Sequence, residues 1–150
     1  MEKTQRRTRH LGLAAAAFAA AGVIASAQPA QAATPPVVST IAIAPASIAL
    51  GGSAQVTATA TNTTSGRLGV SMGIDIPAYA HPLHATGTNG CTPRLLGTIT
   101  YCGVTLAPGA SATLTITSTP SATGTLVFTS YGRIAYTGTN DTDTATLTVS

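Results

Sequence analysis

The chain has almost no charge and few aromatic rings. Tryptophan is absent, phenylalanine occurs twice, tyrosine four times, and only 7% of the 150 residues are Asp, Glu, Lys or Arg. Beyond residue 32 there is no lysine and no glutamate. The charges that remain there are Arg67, Arg94 and Arg133 against Asp75, Asp141 and Asp143, three of each sign. That balance excludes the basic patch needed to hold nucleic acid or an anionic membrane, so the formal +3 of the whole chain comes from its first thirty-two residues. Three separated aspartates do not make the paired acid and base of a glycosidase, and no serine sits in a strained elbow motif. A glycine-rich phosphate loop is missing too. The chain reads as a non-enzyme, and no cofactor is expected.

What is present begins with an export signal. Met1–His10 carries Lys3, Arg6, Arg7 and Arg9 against Glu2, Leu11–Ala27 is almost wholly apolar, and Ala30-Gln31-Ala32 is a small-x-small cleavage pattern. These three parts mark residues 1–32 as a cleavable secretory signal peptide. The apolar run is short and alanine-rich for a membrane anchor, which needs about twenty strongly apolar residues. Ala32 is the favoured last residue of the leader, with Ala27 and Ala30 as lesser options. Arg6-Arg7 raises the twin-arginine route, but Thr8-Arg9-His10 follows where an aromatic residue and then leucine usually stand. No cysteine lies near the cleavage point to carry a lipid, and no sorting motif follows before Ser150. The expected location is outside the cell, free or held non-covalently at the wall, with no membrane contact after cleavage.

Residues 33–36, Ala-Thr-Pro-Pro, form a short extended lead-in, and residues 37–150 read as one domain. Strand signals recur about every ten residues, the rhythm of a sandwich or barrel. The clearest follows the Pro108-Gly109 turn. Ala112, Leu114 and Ile116 take one face of it, and Thr113, Thr115 and Thr117 the other, the period of a half-buried strand. The same alternation marks Ala54–Asn62, with Val56, Ala58 and Ala60 inward, and the C-terminal Ala145, Leu147 and Val149. Further strands are expected over Val37–Ile43, with Ile41 and Ile43 inward, then Ala46–Leu50 beyond a break at Pro45, and Leu68–Ile76. Leu95–Cys102 and Gly124–Tyr136 follow, the latter with a bulge at Gly132. His81–Gly90 is the least regular segment, and Gly138–Thr142 reads as a polar turn. The fold class is therefore all-β: an immunoglobulin-like antiparallel β-sandwich of about seven strands, preceded by the signal peptide. Roughly a fifth of the residues after the leader are threonine, so hydroxyls take the place of charge on the outer faces.

Cys91 and Cys102 are the only cysteines, and in an exported chain an even pair reads as a disulfide. Closing a loop of this size contributes about 2–3 kcal/mol, mainly by restricting the unfolded chain. Redox motifs space their cysteines by two residues, and zinc sites need four ligands. His81 and His84 are two imidazoles on a loop stiffened by Pro82, an incomplete ligand set for zinc or for blue copper. Asp141 and Asp143, in Asn140-Asp141-Thr142-Asp143, suit a turn held by side-chain-to-backbone hydrogen bonds better than a calcium loop, which lacks its closing glutamate here. No metal site is expected.

Ala60-Thr61-Asn62-Thr63, Asp75-Ile76-Pro77, Gly90-Cys91, Thr100-Tyr101-Cys102 and above all Leu106–Thr117 resemble the bacterial surface repeat called domain of unknown function eleven. Asn140–Asp143 stands where that family carries an Asp- and Asn-rich turn. The resemblance runs from about Val37 to Val149 and departs at Ala78–His84. It implies an immunoglobulin-like domain of secreted or wall-associated bacterial proteins, acting as a non-catalytic structural or interaction module. Its partners would be cell-wall or surface components or another protein. The alternative is a secreted sandwich that binds a small ligand or carbohydrate, with Tyr79, Tyr101, Tyr131 and Tyr136 as the rings available for stacking. Three of these tyrosines fall in strand segments, where packing is the simpler role. Tyr79 with His81 and His84, in the irregular loop, is the expected contact surface.

Overall fold

The computed structural model describes residues 33–138 and 140–150; the expected signal peptide, residues 1–32, and its expected cleavage after Ala32 lie outside the described residues. The domain consists of ten strands: β1 Val37–Ala44, β2 Ser47–Ile48, β3 Ala54–Asn62, β4 Leu68–Asp75, β5 Ala80–Gly87, β6 Arg94–Leu96, β7 Ile99–Leu106, β8 Ser111–Pro120, β9 Gly124–Ile134 and β10 Asn140–Val149. They form a four-stranded sheet in the order β1-β3-β8-β5 and a six-stranded sheet in the order β2-β10-β9-β4-β7-β6. The expected two-layer β-sandwich is the observed fold.

Alternation builds the interior. In the β3–β8 pair, Val56 stands opposite Ile116, Ala58 opposite Leu114 and Ala60 opposite Ala112, and all six are fully buried. The outward threonines bond to one another, with Thr57 Oγ1 3.0 Å from Thr115 Oγ1 and Thr61 Oγ1 2.7 Å from Ser111 Oγ. From the other sheet come Val70, Met72 and Ile74 of β4, Phe128 of β9 and Leu147 of β10. Each fully buried side chain of this size stabilises the fold by about 1.5–3 kcal/mol relative to exposure. Gly132 is a close approach, not the expected bulge. Its register against Asp141 is unbroken, and a Cβ there would lie 2.9 Å from Val37 Cγ1 across the sandwich.

Asn62 fastens one end. It is fully buried, and its Nδ2 donates to the carbonyls of Gly66 at 2.7 Å, Ala107 at 3.1 Å and Leu106 at 3.2 Å. Its Oδ1 accepts from the backbone N–H of Thr64 at 2.9 Å and from Thr64 Oγ1 at 2.7 Å. The β3–β4 turn and the Pro108-Gly109 turn, far apart in sequence, thus share one amide.

Several boundaries differ from expectation. Pro45 does more than interrupt a strand: β1 pairs with β3 in one sheet, while β2 runs parallel to β10 in the other, so the sandwich is not wholly antiparallel. Leu95–Cys102 is a hairpin, β6 and β7, because Gly97 turns at φ +60° between Leu96 and Ile99. His81–Gly90 holds a regular strand, β5, whose register shifts between Pro82 and His84. That shift hides the alternation from a sequence reading. Within the expected turn at Gly138–Thr142, Asn140–Thr142 instead open β10, and Asp141 and Asp143 stand opposite the buried Gly132 and Ser130, on the inward side. Ile41 and Ile43 take the inward side of β1 but are only half-buried, because β1 is an edge strand.

The sheet edges are blunted with little charge. The backbone N–H groups of Ser39 and Ile41, turned away from β3, donate to Asp141 Oδ2 at 2.7 Å and Asp143 Oδ2 at 3.0 Å. Pro82 and the bulge interrupt the β5 edge, and β2 and β6 are two and three residues long. These are devices that keep a sheet edge from recruiting another strand.

Candidate functional site

The two cysteines pair: Cys91 and Cys102 form a disulfide with a Cα–Cα distance of 5.4 Å. Both are buried. Cys102 is an inward residue of β7, and Cys91 belongs to the connection from β5 to β6. That connection folds back tightly, with Cys91 N–H donating to Thr88 O and Thr88 N–H to Thr113 O, both at 3.0 Å. Gly87 permits this, since a Cβ there would collide with the Cys91 backbone and come within 2.7 Å of its Sγ. The disulfide therefore anchors the connection between the edge strands of the two sheets.

Tyr79, His81 and His84 lie along that same side. Tyr79 holds φ +69° and is 63% exposed; its carbonyl accepts from Ser121 N–H at 2.9 Å. His81 Nε2 is 3.2 Å from Ser121 Oγ, so Tyr79 and His81 meet on one serine. His81 and His84 stand opposite Thr119 and Thr117, on the outer face of the four-stranded sheet. Among the described residues no three His, Cys, Asp or Glu side chains gather.

The apolar residues beside them were not anticipated. Leu83 is the unpaired residue of the β5 bulge and is 69% exposed; Leu95 and Leu96 of β6 are 61% and 68% exposed. Leu83 and Leu95 line a groove of about 240 Å³ between the two sheet edges, with Pro82, Ala85 and Pro93 as further apolar lining and His84, Arg94 and Thr100 as polar lining. Leu95 shares the inward side of β6 with its partner Thr100, yet the four-stranded sheet ends at β5 and leaves it uncovered. In the sequence these leucines look like core residues; the prolines before Leu83 and near Leu95 were the available signal.

The tyrosines of the six-stranded sheet lie on its outer face. Tyr101, Gly73 and Tyr131 stand in one row across β7, β4 and β9. The Tyr131 ring lies over Gly73, where any Cβ would clash with it. Burial pushes the Tyr131 phenol above its ordinary pKa; Arg133 opposes that shift, and Asp75 and Tyr101 add to it. The Arg133 guanidinium is 5.8 Å from the Tyr131 ring centroid, within range of a cation–π contact. Tyr136 is not in a strand as expected but in the turn after β9, at φ +68° and fully exposed.

No family model matches the chain, and no curated protein matches it. Solved structures do. The CARDB domain of a Pyrococcus furiosus protein, solved in complex with di-metal ions, is 16% identical over 77% of this chain and 89% of that one, with a TM-score of 0.54. BslA, a bacterial hydrophobin, is 20% identical over 79% of this chain and 97% of its own, with a TM-score of 0.53. The shared property is the sandwich. Identities this low carry the fold and no activity.

Proposed function

We propose that this chain is a secreted or cell-surface-associated, non-catalytic structural or interaction module of a bacterium, akin to the repeat of unknown function that its motifs resemble. The observation that carries this is the leucine-lined groove at the β5 and β6 edges. Two leucines more than three-fifths exposed, Leu83 and Leu95, stand together in this groove, and adjoining exposed apolar side chains suit a contact with a partner. Tyr79 extends the same side, and the disulfide fixes the connection between its two strands. A bacterial hydrophobin shares this sandwich. Four of the reactive side chains have structural work: the two cysteines are bonded to each other, and Asp141 and Asp143 hold the β1 backbone.

The test is fractionation of producing cells into supernatant and wall, with the native chain and the Leu83→Thr/Leu95→Thr variant. Completing the burial of two largely exposed leucines at a contact is worth about 1 kcal/mol each, a shift of roughly thirtyfold in the bound-to-free ratio. The native protein should be wall-associated and the variant released. Equal partition of the two would refute the assignment of this groove as the contact.

A further inference from the structure

A second surface, on the outer face of the six-stranded sheet, has features that packing does not require. A trough of about 900 Å³ lies along β7, β4 and the end of β9. Its floor includes Gly69 and Gly103, outward positions on neighbouring strands. A Cβ on Gly103 would meet only the Val70 carbonyl, at 4.0 Å, and one on Gly69 only Ala135 Cβ, at 3.5 Å. Gly73 in the same strand is demanded by the Tyr131 ring, but the fold makes no such demand at Gly69 or Gly103. A strand glycine weakens the strand and marks a bulge, a bend, or the close approach of another backbone or a ligand; the β4–β7 register is unbroken here and no backbone crowds either glycine.

The walls supply recognition chemistry. Tyr101 stands on one side of the floor. Tyr136 stands on the other, its turn tied to the floor by the Ala135 N–H, which donates to Gly69 O at 2.8 Å. A bulky aromatic residue at positive φ is rare and costly, and this one exposes its entire ring. Arg133 is the only charged residue lining the trough. Its guanidinium rests on Tyr131, and it makes no ion pair among the described residues.

We infer that this trough binds a pyranose sugar bearing a carboxylate, with the sugar's C–H face against a tyrosine ring over the glycine floor and its carboxylate on Arg133. A flat ring with an apolar face suits an aromatic wall, and a planar carboxylate matches the fork of a guanidinium. The trough is a different surface from the leucine groove, and the inference stands or falls separately from it.

The experiment is titration of the purified protein with trigalacturonate, with the neutral trisaccharide maltotriose and with acetate, followed by NMR or calorimetry. The native chain should bind trigalacturonate at least tenfold more tightly than maltotriose, and acetate should not compete at equal concentration. Arg133→Gln should abolish that preference. Gly103→Leu, which fills the floor where the fold has room, should abolish binding while leaving the thermal transition within a few degrees of native. Absence of native binding, undiminished binding by Gly103→Leu, or competition by acetate alone would each overturn the inference. The Leu83→Thr/Leu95→Thr variant should bind the sugar as the native chain does; loss of binding there would also count against a separate site.

Discussion

Replacing Asn62 by alanine removes the amide that joins two turns at one end of the sandwich. Its two N–H groups are shared among the carbonyls of Gly66, Leu106 and Ala107, and its oxygen closes the turn onto Thr64. The bond to Leu106 O is fully buried, and a buried acceptor left without a donor costs about 1–3 kcal/mol. The other carbonyls lie nearer to water and should lose about 0.5–1 kcal/mol each. Together these give about 2–5 kcal/mol, a fall in Tm of roughly 8–20 °C for a domain of this size. Asn62→Asp separates donor from acceptor: the carboxylate keeps the bonds from Thr64 but sets an oxygen against the Leu106 and Ala107 carbonyls. It should therefore be less stable than the alanine variant. Urea denaturation of the three proteins decides the matter. A loss below about 0.5 kcal/mol in either variant, or an aspartate variant more stable than the alanine one, would refute this account of the turn pair.

Removing both cysteines by Cys91→Ala/Cys102→Ala should cost about 2–3 kcal/mol, as expected for a loop with a sequence separation of 11, and a thiol assay on the unfolded native protein should find no free thiol. Asp141→Ala/Asp143→Ala should lose about 2–4 kcal/mol, since hydrogen bonds to charged groups are worth about 1.5–3 kcal/mol each when well shielded. Amide exchange at Ser39 and Ile41 should quicken at least tenfold and light scattering should rise with concentration, whereas Asp141→Asn/Asp143→Asn, which keeps an acceptor oxygen at each site, should retain most of the protection. Tyr131 binds its proton more tightly in the folded state. Its contribution is therefore complete below the free phenol value of 10.0 and is lost as pH rises through the higher folded value. Tyr131→Phe should flatten the alkaline limb of the stability curve, and an unchanged limb would contradict the burial argument.

The strands legible in the sequence are those whose inward residues are apolar and whose outward residues are threonine, β3 and β8 above all. Their faces are set by a period of two that nothing interrupts. β5 was obscured because its bulge at Leu83 puts His81 and His84 on one face at a spacing of three. The first turn of β10 was obscured for another reason. Asn-Asp-Thr-Asp is good turn chemistry, and the amides that draw Asp141 and Asp143 inward belong to residues 102 positions away. The cysteine pairing was legible from number and context. Of the proposed contact surface, the irregularity of the segment pointed to Tyr79, His81 and His84, while Leu83 and Leu95 went unnoticed. A leucine in an apolar segment signals burial unless the neighbouring sheet is known to end short of it. The glycine floor could not be read either, because Gly69 and Gly103 become neighbours only once β4 and β7 are in register.

The path of β1 and β2 along β10 has a mechanical consequence. Ser39 meets Asp141, Ile41 meets Asp143, and Ser47 then stands opposite Thr148, so the first and last segments of the domain run side by side in the same direction. Their outer ends therefore lie at opposite poles. Tension applied between those poles pulls along the strands, and the bonds from Thr148 N–H to Ala46 O, from Ser150 N–H to Ile48 O and from Leu50 N–H to Ser150 O are loaded together in shear, not opened one after another like a zip. A domain joined in this way resists stretching far better than its modest edge contacts would suggest.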